Sequence, residues 1–388
     1  MLDSCQSGFS LLDTRVHSPD PRKLNIAYWN VQHLFGIDAS PIASELGISA
    51  INGWDRRALE GKLHAVADHI NSMFDGHGPD LLGISELENR EVGDLLLRVI
   101  GRDDYRLLVA DDPHIAATDT ALIYSTRCFH DAPIQTVSHR VHHRFPTCDI
   151  LEAELKLLNG DAGLTVMVHH WPSRQESDSE AFRQTVASYT ARLVDHHLKL
   201  QRPEFLELRD TEVSRHQLED RWNRNLLLMG TFNEAPWAPA LHKTLNAGFS
   251  LQQSRELVPA MQKGLPSWRA YSACRPPLFN SAWRLLGKPE QQTVLNAATG
   301  NTPQIYDQML LSRGLMTGQS GIQVACDKTG VPEFHCLPTP AVNDTHPANS
   351  VGGQETAYVS DRLAVGLSLH TDSKAAKQAT SAVGQHHS

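Results

Sequence analysis

Runs of apolar residues that end abruptly in polar ones recur along the 388-residue chain and predict buried strands. The clearest is NLLLMGTFNEAPW, in which residues 226–229 are all apolar and Gly230 ends the run. A run that is apolar at every position is typical of a strand covered on both faces. The polar residues after it, Thr231, Asn233 and Glu234, either cap a helix or belong to a site at the strand end.

Similar patterns predict further strands, and Asn159 with Gly160 predicts a tight hairpin turn between two of them. The predicted strands cover residues 24–35, 81–84, 105–109, 120–125, 151–158, 164–168, 226–229, 305–315 and 363–369. Apolar residues at helical spacing predict helices after Asn52, over 92–99 and from about Ser179. Strands and helices that alternate irregularly favour an α/β fold, with a two-layer sheet packed between helices and loops at one edge.

Polar and irregular stretches mark the predicted domain limits. Residues 1–22 are predicted to form a flexible arm and residues 371–388 a disordered tail, because both are poor in apolar positions. Residues 23–370 are predicted to form a single domain. Two insertions are predicted within it, at about 201–224, where Arg alternates with Glu and Asp, and at 255–304, which is rich in Pro, Trp and Gly.

Composition narrows the class of protein. The chain is 40% hydrophobic and 20% charged, which is typical of a soluble globular protein. It has no apolar run long enough to span a bilayer and no secretory signal, so we expect a cytoplasmic protein without a membrane partner. Its net charge of −9 favours a small or single-stranded substrate over an extended duplex, although a basic groove can exist on an acidic body.

The six cysteines are scattered and form no CxxC pair, which predicts free thiols in a reducing compartment. An alternative for the cluster of Cys326, Asp327, His335 and Cys336 is a metal site. Its spacing fits no standard zinc pattern.

Six motifs at the predicted strand ends resemble, in their order, the endonuclease/exonuclease/phosphatase superfamily, the relatives of DNase I. They are WN at 29–30, SELEN at 85–89, HHWPSR at 169–174, GTFNE at 230–234, YDQ at 306–308 and SDR at 360–362. The resemblance covers about residues 23–370, and LFNSAWRLLG at 278–287 is similar to a stretch of bacterial members. It implies a four-layered α/β sandwich, two packed mixed β-sheets flanked by helices, with a metal-dependent phosphoesterase site at one edge.

The resemblance also implies a metal and its ligands. In-line hydrolysis of a phosphoester needs a divalent cation, a deprotonated water and neutralised transition-state charge. Glu86 is implied as the main ligand of Mg²⁺ or Mn²⁺, assisted by Asn30 and Asp361, because a hard cation prefers oxygen donors.

Further roles follow from the same resemblance. His170 is implied as a phosphate contact or proton-transfer residue, with Asp119 as its candidate partner. Asn233 is implied to orient the water and the phosphate, and Asp307 to orient the last catalytic side chain. Arg174, His169 and Arg362 are the candidate phosphate-binding residues.

Three positions depart from the family pattern. Thr231 stands in place of the Asp of GDFN, Arg362 in place of the His of SDH, and His169 in place of an Asn. Threonine cannot accept a proton at neutral pH and arginine only donates, so the loss of acid–base help could cost about 10²–10⁴-fold in rate. Arg362 could instead pair with Asp307 and Asp361 or clamp a phosphate oxygen.

Two hypotheses therefore remain open from the sequence. The first is a metal-dependent phosphodiester hydrolase, most readily a nuclease, with an altered active site. The second is a weak or inactive family member that binds nucleic acid, a phosphorylated ligand or a protein partner. A third, a lipid or inositol-phosphate phosphodiesterase, lacks support from an amphipathic membrane segment.

Overall fold

The protein is described by a computed structural model. The structure describes residues 22–37, 54–110, 119–141, 149–174, 179–199, 220–256, 275–288, 293, 304–337, 360 and 362–371. The predicted arm up to residue 21, the tail from 372, and most of the two predicted insertions lie outside these ranges.

Two seven-stranded mixed sheets form the centre of the fold. The strands are β1 Arg22–Leu34, β2 Leu81–Leu87, β3 Tyr105–Val109, β4 Asp119–Ser125, β5 Gln135–His139, β6 Ile150–Lys156, β7 Gly163–His170, β8 Leu226–Thr231, β9 Ala247–Gly248, β10 Leu278–Asn280, β11 Asp307–Leu311, β12 Ile322–Val324, β13 Phe334–Cys336 and β14 Val365–Thr371. The first sheet has the order β12-β14-β1-β2-β4-β3, with β13 paired to β14. The second has the order β5-β6-β7-β8-β11-β10-β9.

The three longest helices of the described residues cover the outer faces of the sheets, each with an apolar side turned inward. The α-helices are α1 Arg56–Gly76, α2 Arg90–Ile100, α3 Ser179–Leu198, α4 Leu251–Arg255 and α5 Arg313–Thr317, with a π-helical turn at Ala240–Thr244 and a 3₁₀ turn at Ser281–Leu285. In the described part of the chain, no helix is both long and apolar enough to span a bilayer.

Three apolar clusters separate four layers. One lies between the two sheets and includes Tyr28 and Met229. A second lies between the first sheet and helices α1 and α2, and a third lies between the second sheet and α3. This arrangement of helices, sheet, sheet and helices confirms the predicted four-layered α/β sandwich, because each element buries its apolar face against the next layer.

The strand directions bring the predicted motifs to one edge. Strands β1 and β2 run parallel, as do β7 and β8, so their carboxyl ends meet. Strands β11 and β14 run antiparallel to β8 and β1, so they contribute their beginnings at that edge. Residues 30, 86, 170, 231 and 307 consequently lie on the same side of the sandwich.

The predicted strands and helices are largely confirmed, and the differences concern element limits and short elements that were not predicted. The predicted strand over 305–315 ends at Leu311, because α5 begins at Arg313. The predicted insertion 255–304 contains β10, a fully buried strand between β9 and β11. The last strand, predicted to follow Arg362, is β14 and starts at Val365.

Gly230 marks a close approach between two strands of the second sheet. A Cβ atom there would lie 2.3 Å from the carbonyl oxygen of His169, its partner in the β7–β8 pairing. Backbone atoms cannot move aside as a flexible side chain can. Glycine is therefore required at 230 to keep β7 and β8 paired at the edge of the site.

We expect Gly230→Ala to lower the free energy of unfolding by about 1–3 kcal/mol, because the added methyl group overpacks the strand pair. Urea unfolding would measure the change. Gly163→Ala is the matched control in β7, since its Cβ would meet only atoms at 3.7 Å or beyond. Equal stability of the two variants would show that β7 and β8 are not packed this closely.

A buried carboxylate attaches α3 to the second sheet. Glu152 on β6 contacts the Nε2 atoms of His139 on β5 and His197 on α3, both at 2.9 Å. Burial raises the pKa of Glu152, but the two histidine hydrogen bonds outweigh it and lower the pKa from 4.5 to about 2. The ionised carboxylate thus stabilises the packing of α3 on the sheet.

This depressed pKa predicts a specific acid sensitivity. The stabilisation by Glu152 is fully present above pH 4.5 and is lost as the pH falls towards 2, since the unfolded state binds the proton more readily. The stability difference between wild type and Glu152→Gln, from urea unfolding, should shrink across that window. Glu60→Gln, at an exposed ion pair with Arg56, should show no comparable change. A pH-independent difference for Glu152→Gln would contradict the assignment.

Candidate active site

Glu86 is turned into the edge between the sheets by an unusual backbone conformation. Its φ is +63°, and the pairing of β2 with β4 shifts register between Ser85 and Leu87. A bulge of this kind re-aims a side chain, and strained backbone of this kind is concentrated at functional sites. Asn30 donates to Oε1 of Glu86 at 2.8 Å, and the amide of His33 donates to Oε2 at 3.1 Å.

The Glu86 carboxylate is ionised despite its burial. Desolvation raises its pKa, but His170, His33, the Asn30 amide and Arg362 together outweigh that and leave the pKa below its usual value. The Asn30 amide is the nearest of these groups at 2.8 Å, followed by His33 Nδ1 at 3.1 Å and His170 Nε2 at 3.5 Å. The site therefore holds a buried anion surrounded by donors.

His170 is the titratable partner of Glu86 across the gap between the sheets. Burial lowers the pKa of its imidazole, Glu86 raises it, and Arg362 and His33 lower it further. The net shift is downward, so the imidazole is largely neutral at neutral pH. A neutral imidazole next to a carboxylate can accept a proton.

Thr231 lies at the centre of a buried hydrogen-bond network. Its hydroxyl donates to Oδ1 of Asp307 at 2.5 Å, and it also contacts the hydroxyl of Tyr28 at 2.9 Å and the amide of Asn30 at 3.3 Å. Its backbone N–H donates to the Tyr28 hydroxyl at 2.9 Å. Thr231 thus holds Asp307 in place and supplies no proton acceptor for a reaction.

Arg362 pairs with the same buried carboxylate. Its Nη1 lies 3.6 Å from Oδ2 of Asp307, and the carbonyl of Arg362 accepts from the Trp29 indole at 3.0 Å. The guanidinium groups of Arg362 and Arg174 lie 5.8 Å and 5.6 Å from the ring centre of Tyr306. Two predicted phosphate-binding arginines are therefore brought to one ring beside Asp307.

Asn233 is held rigidly in the loop after β8. Its φ is +50°, a conformation that asparagine tolerates better than most residues. Its Nδ2 donates to the carbonyl of Trp171 at 2.8 Å, so the GTFNE and HHWPSR motifs are linked directly. Asn233 is buried and lies next to the end of β7.

His169 does not share this side of the sheet, contrary to the prediction that it binds phosphate. Successive residues of a strand face opposite ways, so His169 points away from His170 into the core below α3. It is 0% exposed, and its ring packs against Phe232 and Trp171. Burial lowers its pKa to about 3, so it is neutral. This position is inconsistent with a phosphate contact.

Two predicted residues cannot be placed. Asp361 lies outside the described residues, and so does the side chain of Asp119. The backbone of Asp119 begins β4 opposite Leu87, at the same edge as Glu86. The predictions for these two carboxylates remain predictions.

Sequence reasoning missed the buried ion pair that supports the loops. Arg183 on α3 donates to Glu234 at 2.6 Å and also to the carbonyls of Pro172 and Ser173. Gln308 in turn donates to the carbonyl of Glu234 at 2.6 Å. Arg183 follows the HHWPSR motif within a predicted helix, where a charged residue is ordinarily expected on the solvated face. His33 and Tyr28 were missed because their contacts come from distant segments.

The described donors fit a hard cation bound mainly by water and substrate oxygens. Glu86 is an ionised carboxylate, whereas Asp307 is engaged by Thr231 and Arg362. Mg²⁺ is commonly held by one or two carboxylates and several waters. Among the described residues, no group of three or more His, Cys, Asp or Glu is arranged to hold a metal, and this includes the 326–336 cluster, where Asp327 pairs with Arg284.

We expect Arg183→Met to lower the free energy of unfolding by about 3–5 kcal/mol, because it leaves the Glu234 carboxylate buried and unpaired. Chemical denaturation would measure this. Arg192→Met, an exposed change on the same helix, should stay within about 0.5 kcal/mol. Combining Arg183→Met with Glu234→Met should recover stability relative to the single variant. A double variant with purely additive losses would contradict a direct pairing.

Comparison with known proteins agrees with this geometry. The model of the endonuclease/exonuclease/phosphatase family matches residues 25–206. No curated protein matches the sequence. A family protein from Bacteroides thetaiotaomicron superposes with a TM-score of 0.51 at 14% identity, covering 91% of this chain and 97% of that one.

Two further structures show the same architecture. The first is a humanised D. rerio TDP2, with a TM-score of 0.50 at 12% identity, covering 90% of this chain and 99% of that one. The second is a B. thetaiotaomicron mannosyl-6-phosphatase, with a TM-score of 0.50 at 14% identity, covering 89% of this chain and 99% of that one. The identities are low, so these likenesses concern the fold alone. The chain therefore shares the fold of these structures, and residues 25–206 are similar to the endonuclease/exonuclease/phosphatase family.

Proposed function

We propose that the protein is a divalent-metal-dependent phosphodiester hydrolase, acting as a nuclease with a rearranged set of catalytic residues. The observation that carries this proposal is the approach of a buried, ionised Glu86 to a neutral His170, with Arg362 close enough to affect both. Hydrolysis of a phosphoester uses three such groups: an anion that binds a metal cation, a proton acceptor and a fixed positive charge.

Glu86 would hold Mg²⁺ or Mn²⁺, and Asn30 would fix the carboxylate through its hydrogen bond to Oε1. When bound, such an ion polarises a phosphoryl oxygen and lowers the pKa of a coordinated water. The backbone amide of His33 holds the second carboxylate oxygen, so the carboxylate cannot rotate freely. The protein therefore presents Glu86 in one orientation.

His170 is the residue best suited to carry a proton. Its depressed pKa keeps the imidazole unprotonated at neutral pH, and Glu86 favours the protonated form once a proton has been taken. We propose that His170 accepts the proton of the attacking water, because β8 has Thr231 and no carboxylate at that position. The acidic limb of the pH–rate profile should then lie below about 6.5, the ordinary value for histidine.

Arg362 would neutralise charge on the phosphate. Its pairing with Asp307 at 3.6 Å is longer than a close ion pair, and Asp307 is already bonded by Thr231. A guanidinium presents its N–H donors as a planar fork that can bind two phosphate oxygens, which lysine cannot do in the same bidentate way. Thr231 then has a structural role, since it orients the carboxylate that orients Arg362.

One observation favours the second candidate, a binding module with little or no turnover. The Tyr28–Thr231–Asp307 network is closed by internal hydrogen bonds, and β8 has no proton acceptor where the family motif has Asp. The same Arg362 and His170 would then bind a phosphorylated ligand without cleaving it. Nucleic acid is the proposed ligand in both candidates.

We also propose a cytoplasmic location. Among the described residues, the thiols of Cys128 and Cys326 form no disulfide bond, which fits a reducing compartment.

The decisive assay is hydrolysis of a bis-aryl phosphodiester, plasmid DNA, single-stranded DNA and RNA with Mg²⁺ or Mn²⁺. We expect activity in the wild type, its loss in Glu86→Ala, and a decrease of about 10²–10³-fold in Arg362→Ala, because a fixed charge on the transition state is removed. Arg362→Lys should keep only part of the wild-type activity. Glu88→Ala removes a nearby carboxylate that bonds the Gly36 amide instead, and it should remain active.

The double variant Thr231→Asp with Arg362→His separates the two candidates. An inactive wild type together with an active double variant would overturn the hydrolase proposal and support the binding module. Because Thr231→Asp puts a second carboxylate where the hydroxyl lies 2.5 Å from Asp307, the stability of this variant should be checked by urea unfolding. Activity in the wild type that survives Glu86→Ala would also contradict the proposed role of Glu86.

A further inference from the structure

Three aromatic side chains form a row that leads away from the active site. Trp237 and Phe249 are among the most exposed large apolar residues in the described part of the chain, at 47% and 59%. Half-buried Trp283 lies between them, with ring-centre distances of 6.2 Å to Trp237 and 4.9 Å to Phe249. We call Trp237, Trp283 and Phe249 the aromatic row.

The aromatic row is fixed to the active-site loop. Trp237 follows Asn233 by four residues. Trp283 lies in the 3₁₀ turn that Asn280 caps, and Asn280 also donates to Gln308 at 2.7 Å. Gln308 donates to the carbonyl of Glu234 in the loop of Asn233. The rings are therefore held at a defined position relative to the site, and a ligand that stacks on them loses little free energy in ordering them.

The rings are arranged to receive planar groups. The ring plane of Trp283 is inclined by 64° to that of Trp237 and by 47° to that of Phe249, so the three rings do not stack face to face on one another. Large exposed aromatic side chains that lie together are uncommon on a surface with no binding role. Bases of a single strand stack on such rings in a way that tolerates any sequence.

The net charge of the chain and the position of its arginines favour one class of ligand. The chain carries a net charge of −9, which disfavours the many phosphate contacts that hold an extended duplex. Positive charge is instead placed at the reacting edge, where Arg174 and Arg362 flank Tyr306. A ligand with a phosphate at the arginines and unpaired planar groups beyond it matches both features. A small phosphorylated sugar at the arginines would not extend along the whole row.

We propose that the aromatic row binds the unpaired bases of a single-stranded nucleic acid whose scissile phosphate lies at Glu86, His170 and Arg362. This inference rests on the proposed function, since it names the substrate class of the same site. Single strands are selected because their bases can turn outward onto Trp237 and Phe249, whereas paired bases are held in the duplex stack.

The test measures binding of the full chain to a fluorescein-labelled deoxythymidine decamer by fluorescence anisotropy, in EDTA so that turnover does not interfere. We expect Trp237→Ala and Phe249→Ala each to weaken binding by about 5- to 150-fold, the range for loss of one stacked base. Trp237→Phe should keep most of the affinity. Ile134→Ala is the matched control, because Ile134 is 58% exposed and precedes β5 at the opposite edge of the second sheet.

Three other ligands make the outcome specific. A decamer without bases should bind weakly to all proteins and be insensitive to Trp237→Ala, and a duplex of the same sequence should bind less tightly than the single strand. A neutral mannose hexamer tests whether the rings stack on sugars. Thermal melting of each variant confirms that it is folded.

Wild-type affinity for the decamer in both alanine variants would overturn the inference, and so would a loss confined to the mannose hexamer. Failure of the proposed function looks different. In that case the wild type binds the decamer through the aromatic row but hydrolyses no phosphodiester with Mg²⁺ or Mn²⁺.

Discussion

The hydroxyl group of Tyr28 connects the two sheets, and the geometry of the site depends on it. It shares hydrogen bonds with Ser85 on its own sheet at 2.6 Å and with Thr231 on the other at 2.9 Å. Burial raises the pKa of Tyr28, so the hydroxyl stays neutral and can both donate and accept. Apolar packing between the sheets has no direction, whereas these hydrogen bonds fix how the sheets are aligned at one edge. Glu86 and His170 come from different sheets and meet at 3.5 Å in that alignment.

The same hydroxyl explains how the site accommodates its unusual residues. Thr231 accepts from Tyr28, donates to Asp307, and so continues a network that ends at Arg362. A threonine at 231 and an arginine at 362 are therefore compatible with each other. The Thr231 hydroxyl bonds Oδ1 of the Asp307 carboxylate, and the Arg362 guanidinium lies beside Oδ2 and compensates its charge. Thr231 and Arg362 thus belong to one arrangement of hydrogen bonds and charges around Asp307.

Much of the fold and the site could be predicted from the sequence. Continuous apolar runs such as 226–229 specify buried strands, and the ordered motifs placed Glu86, His170, Asn233 and Asp307 at one edge. His169 was wrongly expected at the phosphate because a motif does not reveal which face of a strand a residue occupies. Strands β9, β10 and β12 are two or three residues long, too short for any periodicity. The Arg183–Glu234 pair joins residues 51 positions apart, and local patterns cannot show such a contact.

The pairing of β1 with β14 has a consequence for how the molecule is made. It joins residues as far as 349 positions apart, and Arg362 lies just before β14. During synthesis, the edge of β1 that pairs with β14 stays unpaired until nearly all the other described strands have left the ribosome. Closing so long a loop is slow, and an unpaired edge invites association with other chains. The nascent protein should therefore bring Arg362 to the edge of the site in the same late step that removes its exposed strand edge.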